Sequence, residues 1–275
     1  MNQHTEKLQP LSKRLQAVAD VFPTGNRIVD VGTDHGYIPI YLVQASRSPG
    51  GIAADINAGP LERAREHIAR AGLSEDILTV LSNGLHNIEP PKDASLVVAG
   101  MGGRLMWQIL TDRPEVTCRF QKLILEPQSD LEFFRHSLFA HGFVLEAEDM
   151  VKEDGKYYPI MRVAPPETFS PNGAAANTAS MDLVTANETI AHGVLGVLEE
   201  RYGPLLLRAH HPVLFDFLKK EQAEKEKVLA QIGRAEAKRQ GERIVSLERA
   251  HRMAQIKEDL ILNGLAQQIT KGEQT

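Results

Sequence analysis

The stretch RIVDVGTDHGYIPIYL, residues 27–42, places an apolar run of strand length before a glycine loop and a helical pattern. This order is typical of a dinucleotide-binding fold, in which the loop reads G-x-G-x-x-G. Here Asp34 stands where the middle glycine belongs, and Asp30 lies near the end of the strand. Two like charges about 4 Å apart repel by about 4 kcal/mol at an effective dielectric of ~20. The loop therefore disfavours a pyrophosphate and favours a cationic ligand.

S-adenosylmethionine is a ligand of this kind, because it carries a sulfonium, an ammonium and one carboxylate but no phosphate. Residue types at successive strand ends fit it. An acid at Asp55, after the second strand, can accept hydrogen bonds from two ribose hydroxyls. The predicted donor-binding residues are Asp30, Gly32, Asp34 and Gly36 in the loop, then Asp55, Ile56 and Asn57, then Asn83, Gly84 and Leu85, and finally Gly100. The alternative is that these polar residues only cap helices.

The first two-thirds of the chain alternates apolar runs with helical patterns, which predicts an α/β fold with a parallel sheet. Seven runs of strand length predict a seven-stranded, mostly parallel, Rossmann-like sheet that ends in a hairpin. The composition changes after Pro165, and a long helical pattern broken at Gly241 follows from Pro212. We therefore predict a Rossmann-like domain over residues 1–165, a linker or insertion over 166–200, and a coiled-coil-like helical hairpin over 201–275.

Charge is unevenly distributed along the chain. The net charge of the 275 residues is −5, yet residues 208–257 carry 12 Lys and Arg against 7 Asp and Glu. A basic segment on an acidic protein indicates a polyanionic partner, although a solvated helical hairpin explains the same count. The N-terminus lacks an apolar signal core, no apolar run approaches the ~20 residues that span a bilayer, and Cys118 is the single cysteine. These features predict a cytoplasmic protein without a disulfide framework or a membrane partner.

The stretch AGMGG, residues 99–103, follows the fourth strand, where methyltransferases of this architecture usually form the acceptor pocket. The Asp/Asn-Pro-Pro-aromatic motif of adenine-amino enzymes and the Pro-Cys nucleophile of cytosine enzymes are both missing there. A roomy glycine slot suits an acceptor with its own lone pair, such as a ring nitrogen. Asp34 is the predicted carboxylate that stabilises the developing cation, and His35 is a candidate proton acceptor. A glycine turn that merely packs a helix is the alternative.

Several motifs, among them IVDVGTDHGYIP, AADIN, VVAGMGG and EDGKYYPIM, together resemble the bacterial tRNA (adenine(22)-N(1))-methyltransferase family. The resemblance implies S-adenosylmethionine as the cofactor, tRNA as the partner and methylation of N1 of one adenine. It implies acceptor contacts at Met101, Gly102, Gly103, Pro127, Tyr158 and Arg14. Tyr157 and Tyr158 together offer a stacking surface for a base. The basic hairpin, with Lys219, Lys220, Arg239 and Arg243, is predicted to hold the RNA backbone. One departure stands out: Glu126 precedes Pro127 where the family usually has glutamine.

Two other functions compete with this prediction. The first is a methyltransferase for another RNA site or for a small molecule, against which the basic hairpin counts. The second is a non-catalytic RNA-binding adaptor, against which the joint presence of Asp30, Gly32 and Asp55 counts. Asp34 disfavours an NAD-dependent enzyme. We expect no metal, and we favour a monomer.

Overall fold

The computed structural model describes residues 10–171, 186–238 and 243–272. The chain divides into two compact units, Met1–Thr185 and Ala186–Thr275. No helix in the described ranges is both long and apolar enough to cross a membrane.

The first unit is built on a seven-stranded sheet, as predicted. Its strands are β1 (Arg27–Val31), β2 (Gly51–Asp55), β3 (Ile77–Leu81), β4 (Ala94–Met101), β5 (Leu123–Pro127), β6 (Val144–Glu153) and β7 (Lys156–Ala164). The strand order is β3-β2-β1-β4-β5-β7-β6. Strands β1 to β5 pair in parallel, and β7 pairs antiparallel with both β5 and β6. The prediction of a mostly parallel, Rossmann-like sheet that ends in a hairpin is therefore confirmed.

Six helices cover the two faces of this sheet. They are α1 (Lys13–Asp20), α2 (Tyr37–Gln44), α3 (Ala58–Arg70), α4 (Gly103–Asp112), α5 (Pro114–Thr117) and α6 (Leu131–Ala140). Successive strand residues point to opposite faces, which explains why the central strands read as continuous apolar runs. In β1, Val29 packs with helices α4 and α6, whereas Ile28 packs with α1 and α2. The carboxyl ends of the five parallel strands consequently meet at one edge.

The second unit is helical. Its helices are α7 (Ala186–Tyr202), α8 (Pro204–Arg208), α9 (Pro212–Lys238) and α10 (Arg243–Lys271). The structure corrects the predicted linker over residues 166–200, since its last part, from Ala186, belongs to α7. The segment 172–185 and the predicted turn at 239–242 lie outside the described residues.

The 3-4 spacing in α10 predicts a coiled-coil seam through Ala254, Glu258, Ile261 and Leu265, and this register is wrong. Ala254, Glu258 and Ile261 are exposed, and Leu265 is only half-buried. Asn263 and Ala266 are buried instead. The Asn263 amide donates to the carbonyl of Leu218 at 3.0 Å and to Glu221 at 2.8 Å, both on α9. The buried face of α10 is thus partly polar, and a search for apolar spacing selects the wrong register.

This register predicts that two substitutions in α10 change the free energy of unfolding by very different amounts. We expect Asn263→Ala to lower the free energy of unfolding by about 1–3 kcal/mol, because it leaves the Leu218 carbonyl without its buried donor. Ile261→Ala should change it by less than about 0.5 kcal/mol, because the Ile261 side chain is exposed. Denaturant titration of both variants measures the difference. A larger loss for Ile261→Ala would restore the register predicted from the sequence.

Candidate active site

The loop after β1 is shaped by two glycines with positive φ. Gly32 has a φ of 80°, and Gly36, which precedes α2, has a φ of 69°. The backbone N–H groups of Gly32 and Thr33 both donate to the carbonyl of Ala54, at 2.8 and 2.9 Å. A Cβ atom on Gly32 would lie 2.0 Å from Cε of Met101. The methionine side chain could move aside, so it is the positive φ of Gly32 that favours glycine here, beneath the last residue of β4.

A cleft of about 370 Å³ opens between this loop and the carboxyl ends of the central strands. This volume is within the usual range for small-molecule pockets. Its lining comprises Arg14, Leu15, Asp30, the loop residues 32–36, Tyr37, Ile38, Ala99, Gly100 and Gln128. The structure thus brings the predicted loop residues together with Arg14 and Gly100.

Asp30 is the buried acid of the cleft. It is only 5% exposed, because neighbouring strands flank β1 on both sides. Burial raises the pKa of Asp30 to about 6, and the neighbouring Asp55 carboxylate acts in the same direction. A cation in the cleft would favour the ionised form of Asp30, so this residue supplies the attraction that the sequence assigned to the pair of acids.

Asp34 has a different environment from Asp30. Its side chain is largely exposed, and its carboxylate accepts a hydrogen bond from Arg63 at 2.7 Å. Its other oxygen lies 3.1 Å from Nε2 of His35. The sequence analysis missed Arg63, which reaches the loop from α3. Because Arg63 offsets the charge of Asp34, Asp30 is the main source of negative charge in the cleft.

His35 belongs to a stack of three rings beside the loop. Its ring centroid lies 5.0 Å from that of Tyr37 and 5.4 Å from that of His67, with the planes nearly parallel. Nδ1 of His67 is hydrogen-bonded to the carbonyl oxygen of His35 at 3.0 Å. The sequence analysis also missed His67. Arg63 and His67 are four residues apart on α3, which indicates that they share one face of the helix, but no signal in the sequence shows that this face lies against the loop.

The second and third strand ends lie along the same edge of the sheet, outside the lining of the cleft. Asp55 is buried, and one of its oxygens accepts the N–H of Asn57 at 2.7 Å. Ile56, Asn57 and Asn83 are exposed, and Gly84 is half-buried. Leu85 corrects the prediction: it is 0% exposed in the hydrophobic core and cannot offer a face to a ligand.

The glycines at the end of β4 and directly after it have different roles. Gly100 has a φ of 81°, and its N–H donates to Glu126 Oε2 at 2.8 Å. Met101 and Gly102 are half-buried. Gly103 is buried, and a Cβ there would lie 2.7 Å from the carbonyl oxygen of Ser129. The prediction of a roomy slot is therefore wrong at Gly103. This glycine has no free space around it, and it lets α4 pack closely against the loop after β5.

Two predicted acceptor residues, Tyr157 and Tyr158, do not form one surface. Successive residues of a strand point to opposite faces of the sheet. Tyr158 packs against the core on the α1 side, and the Arg14 guanidinium lies 5.5 Å above its ring. Lys152 lies 5.1 Å above the ring of Tyr157. Of the two, we associate only Tyr158 with the cleft, through Arg14. Pro127 is buried at the end of β5.

The predicted RNA-contacting cations lie in the second unit. Lys219 and Lys220 are exposed on α9. Lys225, part of the same basic segment, is mostly buried between Glu221, at 2.9 Å, and Asp259, at 3.2 Å. Arg239 and the side chain of Arg243 lie outside the described residues. Lys225 therefore forms ion pairs within and between α9 and α10, whereas Lys219 and Lys220 are exposed to solvent.

Comparison with known proteins places this site in a family. The family model for a methyltransferase domain matches residues 11–161. The tRNA (adenine(22)-N(1))-methyltransferase of Bacillus subtilis is 34% identical over 151 residues, which are 55% of this chain and 63% of that protein. The chain thus spans less than two thirds of the length of this curated relative.

Solved structures match over nearly the whole chain. The B. subtilis M1A22 tRNA methyltransferase TrmK has a TM-score of 0.71 at 25% identity, and the match covers 94% of this chain and 99% of that one. TrmK of M. capricolum, in complex with S-adenosyl-homocysteine, has a TM-score of 0.66 at 25% identity, covering 92% and 98%. The resemblance predicted from the sequence is confirmed. With a matching domain over residues 11–161, a glycine-lined cleft and this strand order, the chain belongs to the methyltransferase-domain family.

Proposed function

We propose that the protein uses S-adenosylmethionine to methylate ring nitrogen N1 of adenine 22 in tRNA, acting in the cytoplasm as a monomer. The observation that carries the proposal is the buried Asp30 carboxylate in a glycine-lined cleft at the carboxyl edge of a methyltransferase sheet. The near full-length match to M1A22 tRNA methyltransferases supports the choice of acceptor.

The residues of the cleft fit the proposed donor in charge and shape. Asp30 would face its positive charges, and the N-terminus of α2 at Gly36 would receive its carboxylate. Asp55, one strand away, would accept from the ribose hydroxyls, and Ile56, Asn57 and Asn83 would surround the adenine. When bound, S-adenosylmethionine supplies a methyl group activated by the adjacent sulfonium.

The chain's own contribution to the chemistry is orientation and charge. N1 of adenine has a lone pair, so no covalent intermediate with the protein is needed, and alignment of two bound molecules can contribute several kcal/mol. N1 becomes cationic as it is methylated, and Asp34 is our candidate for the carboxylate that stabilises this charge. His35, 3.1 Å from Asp34, would orient that carboxylate or accept a proton.

The second unit would hold the RNA. An adenine inside folded tRNA is stacked, and exposing it costs a few kcal/mol. We propose that Lys219 and Lys220 contact the phosphate backbone during this step, since both are exposed cations on α9.

The direct experiment is methylation of unmodified tRNA, followed by nucleoside digestion and identification of the product. We expect 1-methyladenosine, lost when adenine 22 is replaced. Methylation of a different base would redirect the proposal to another RNA site. If S-adenosylmethionine fails to bind in calorimetry, the protein is an adaptor rather than an enzyme.

Asp30→Asn should stabilise the unliganded protein while weakening donor binding. Because the pKa of Asp30 is raised from 3.8 to about 6 on folding, the parent loses stability as the pH rises from 3.8 to 6, and the full loss is present above pH 6. The variant should therefore gain on the order of 2 kcal/mol in unfolding free energy at pH 7.5. The gain should shrink as the pH falls from about 6 towards 3.8, and it should vanish below 3.8, where Asp30 of the parent is protonated in both states.

Calorimetry supplies the second half of this test. Donor affinity of Asp30→Asn should fall at least about tenfold, because the neutral amide no longer attracts a cation. Unchanged donor affinity would remove Asp30 from the donor site. Asp20→Asn, at an exposed acid outside the cleft, is the matched control.

Asp34→Asn separates a chemical role from a binding role. We expect turnover to fall at least about tenfold with a much smaller change in donor affinity, because the charge on N1 develops only during methyl transfer. Rapid-quench turnover and donor titration provide the two numbers. Equal losses in both would make Asp34 a donor-binding residue only. Arg63→Gln is the control variant, because it removes the partner of Asp34 but keeps the Asp34 carboxylate. It should therefore retain more turnover than Asp34→Asn does.

A further inference from the structure

Glu126 is a buried carboxylate beside the cleft that the proposed function leaves without a task. It is 0% exposed at the end of β5. Its Oε2 accepts two hydrogen bonds, from Nη1 of Arg14 at 2.7 Å and from the N–H of Gly100 at 2.8 Å. Its Oε1 is also buried and, within the described part of the chain, meets no donor in good hydrogen-bond geometry, although the Gln128 side chain is close enough to lower the pKa of Glu126.

This arrangement is expensive for stability. A buried carboxylate with one oxygen unpartnered loses hydration that its bonds only partly replace. Burial accordingly raises the pKa of Glu126, although Arg14 acts in the opposite direction. The burial of this carboxylate lowers stability, so it calls for an explanation other than holding the fold.

The side chain that Glu126 holds is Arg14, on the first turn of α1. Arg14 lines the cleft, and its Nη1 would lie 3.4 Å from a Cβ atom on Gly100. Its guanidinium also lies over the ring of Tyr158, 5.5 Å from the centroid. The ion pair and the ring together restrict a long side chain that would otherwise sample many rotamers.

The charge of Arg14 indicates which substrate it serves. The proposed donor is cationic and is matched by Asp30, so a guanidinium beside it brings no attraction. RNA is a polyanion, and an arginine at the rim of the cleft suits a phosphate next to the target base. Gly100, whose N–H also donates to Glu126, is a predicted donor-binding residue, and it directly precedes Met101, Gly102 and Gly103, the predicted acceptor contacts.

We propose that Glu126 is a positioning residue that holds Arg14 at the rim of the cleft for contact with an RNA phosphate beside the target adenine. This inference rests on the proposed function. It concerns the acceptor alone, so it separates Glu126 from the donor site.

Glu126→Gln is the main test, because glutamine can keep one oxygen for Gly100 and Arg14 while the charge is removed. The KM for tRNA should rise about tenfold, with kcat and the Kd for S-adenosylmethionine nearly unchanged. The direction of the change in the KM for tRNA separates two explanations. If Glu126 only added negative charge near the RNA, its removal would lower the KM.

A double-mutant cycle shows whether Glu126 acts through Arg14. Arg14→Gln alone should raise the KM for tRNA at least as much as Glu126→Gln, and it should reduce the dependence of log KM on log salt by about one phosphate contact. The double variant should be no worse than Arg14→Gln. Additive losses would overturn the inference.

The matched control is Glu148→Gln, which removes the acid of another buried ion pair. Arg135 and Glu148 lie 3.0 Å apart, with side chains 1% and 0% exposed, and neither lines the cleft. This variant should alter thermal stability but leave the KM for tRNA unchanged. An equal rise in KM would mean that loss of any buried charge disturbs the acceptor side, which overturns the inference.

Two further measurements keep the test decisive. Should Glu126→Gln fail to fold, Arg14→Lys tests the same idea, since lysine can still pair with Glu126 and should retain a KM nearer the parent than Arg14→Gln does. A lysine variant as impaired as the glutamine variant would overturn the inference.

If the parent protein does not methylate tRNA, the proposed function fails. If the parent does and Glu126→Gln matches it, only the role of Glu126 fails.

Discussion

A carboxylate buried at the end of a central strand is the constraint on which this site depends. Asp30 lies on β1, between β2 and β4, and is almost inaccessible to solvent. Desolvation of its charge costs stability, and its pKa is raised to about 6 in consequence. The cost is met by the core on both faces of the sheet, where parallel strands are covered by helices. The fold thus maintains a charge that is of use only to a cationic ligand.

Glu126 is a second buried acid, beside the cleft rather than in its lining. Both acids stand at the carboxyl ends of parallel strands, which is where α/β sheets usually bind ligands. They differ in their partners, because Glu126 has Arg14 and the Gly100 N–H, whereas Asp30 faces the cleft. Asp30 is thus open to a ligand, whereas Glu126 holds a side chain. Under the proposed function, these two acids would serve two substrates of opposite charge.

The helical unit uses buried polar groups for a different purpose. Asn263 and Arg201 join α9, α10 and α7 through hydrogen bonds to Glu221 and Asp259. Such groups tolerate few alternative registers, since a shift of one residue would leave them buried without partners. Burial raises the pKa of Tyr202, which donates to Glu221 at 2.9 Å in the same network. Lys225 belongs to it as well, which removes one cation from the solvent-facing set.

The residues alone were enough to predict the sheet, its hairpin and the loop after β1. Long apolar runs and glycine loops between helical patterns are local signals, and they predicted the strands and the loop correctly. The donor-binding role of the acids at the strand ends stays a prediction. Leu85, Gly103 and the face of α10 were predicted wrongly, because burial depends on what packs above a residue rather than on its neighbours in sequence. Arg63 and Arg14 are distant in sequence from the acids they pair with, and no local pattern links them. Tertiary structure alone decided which charges are compensated, since electrostatic energy depends on distance and burial in the folded chain.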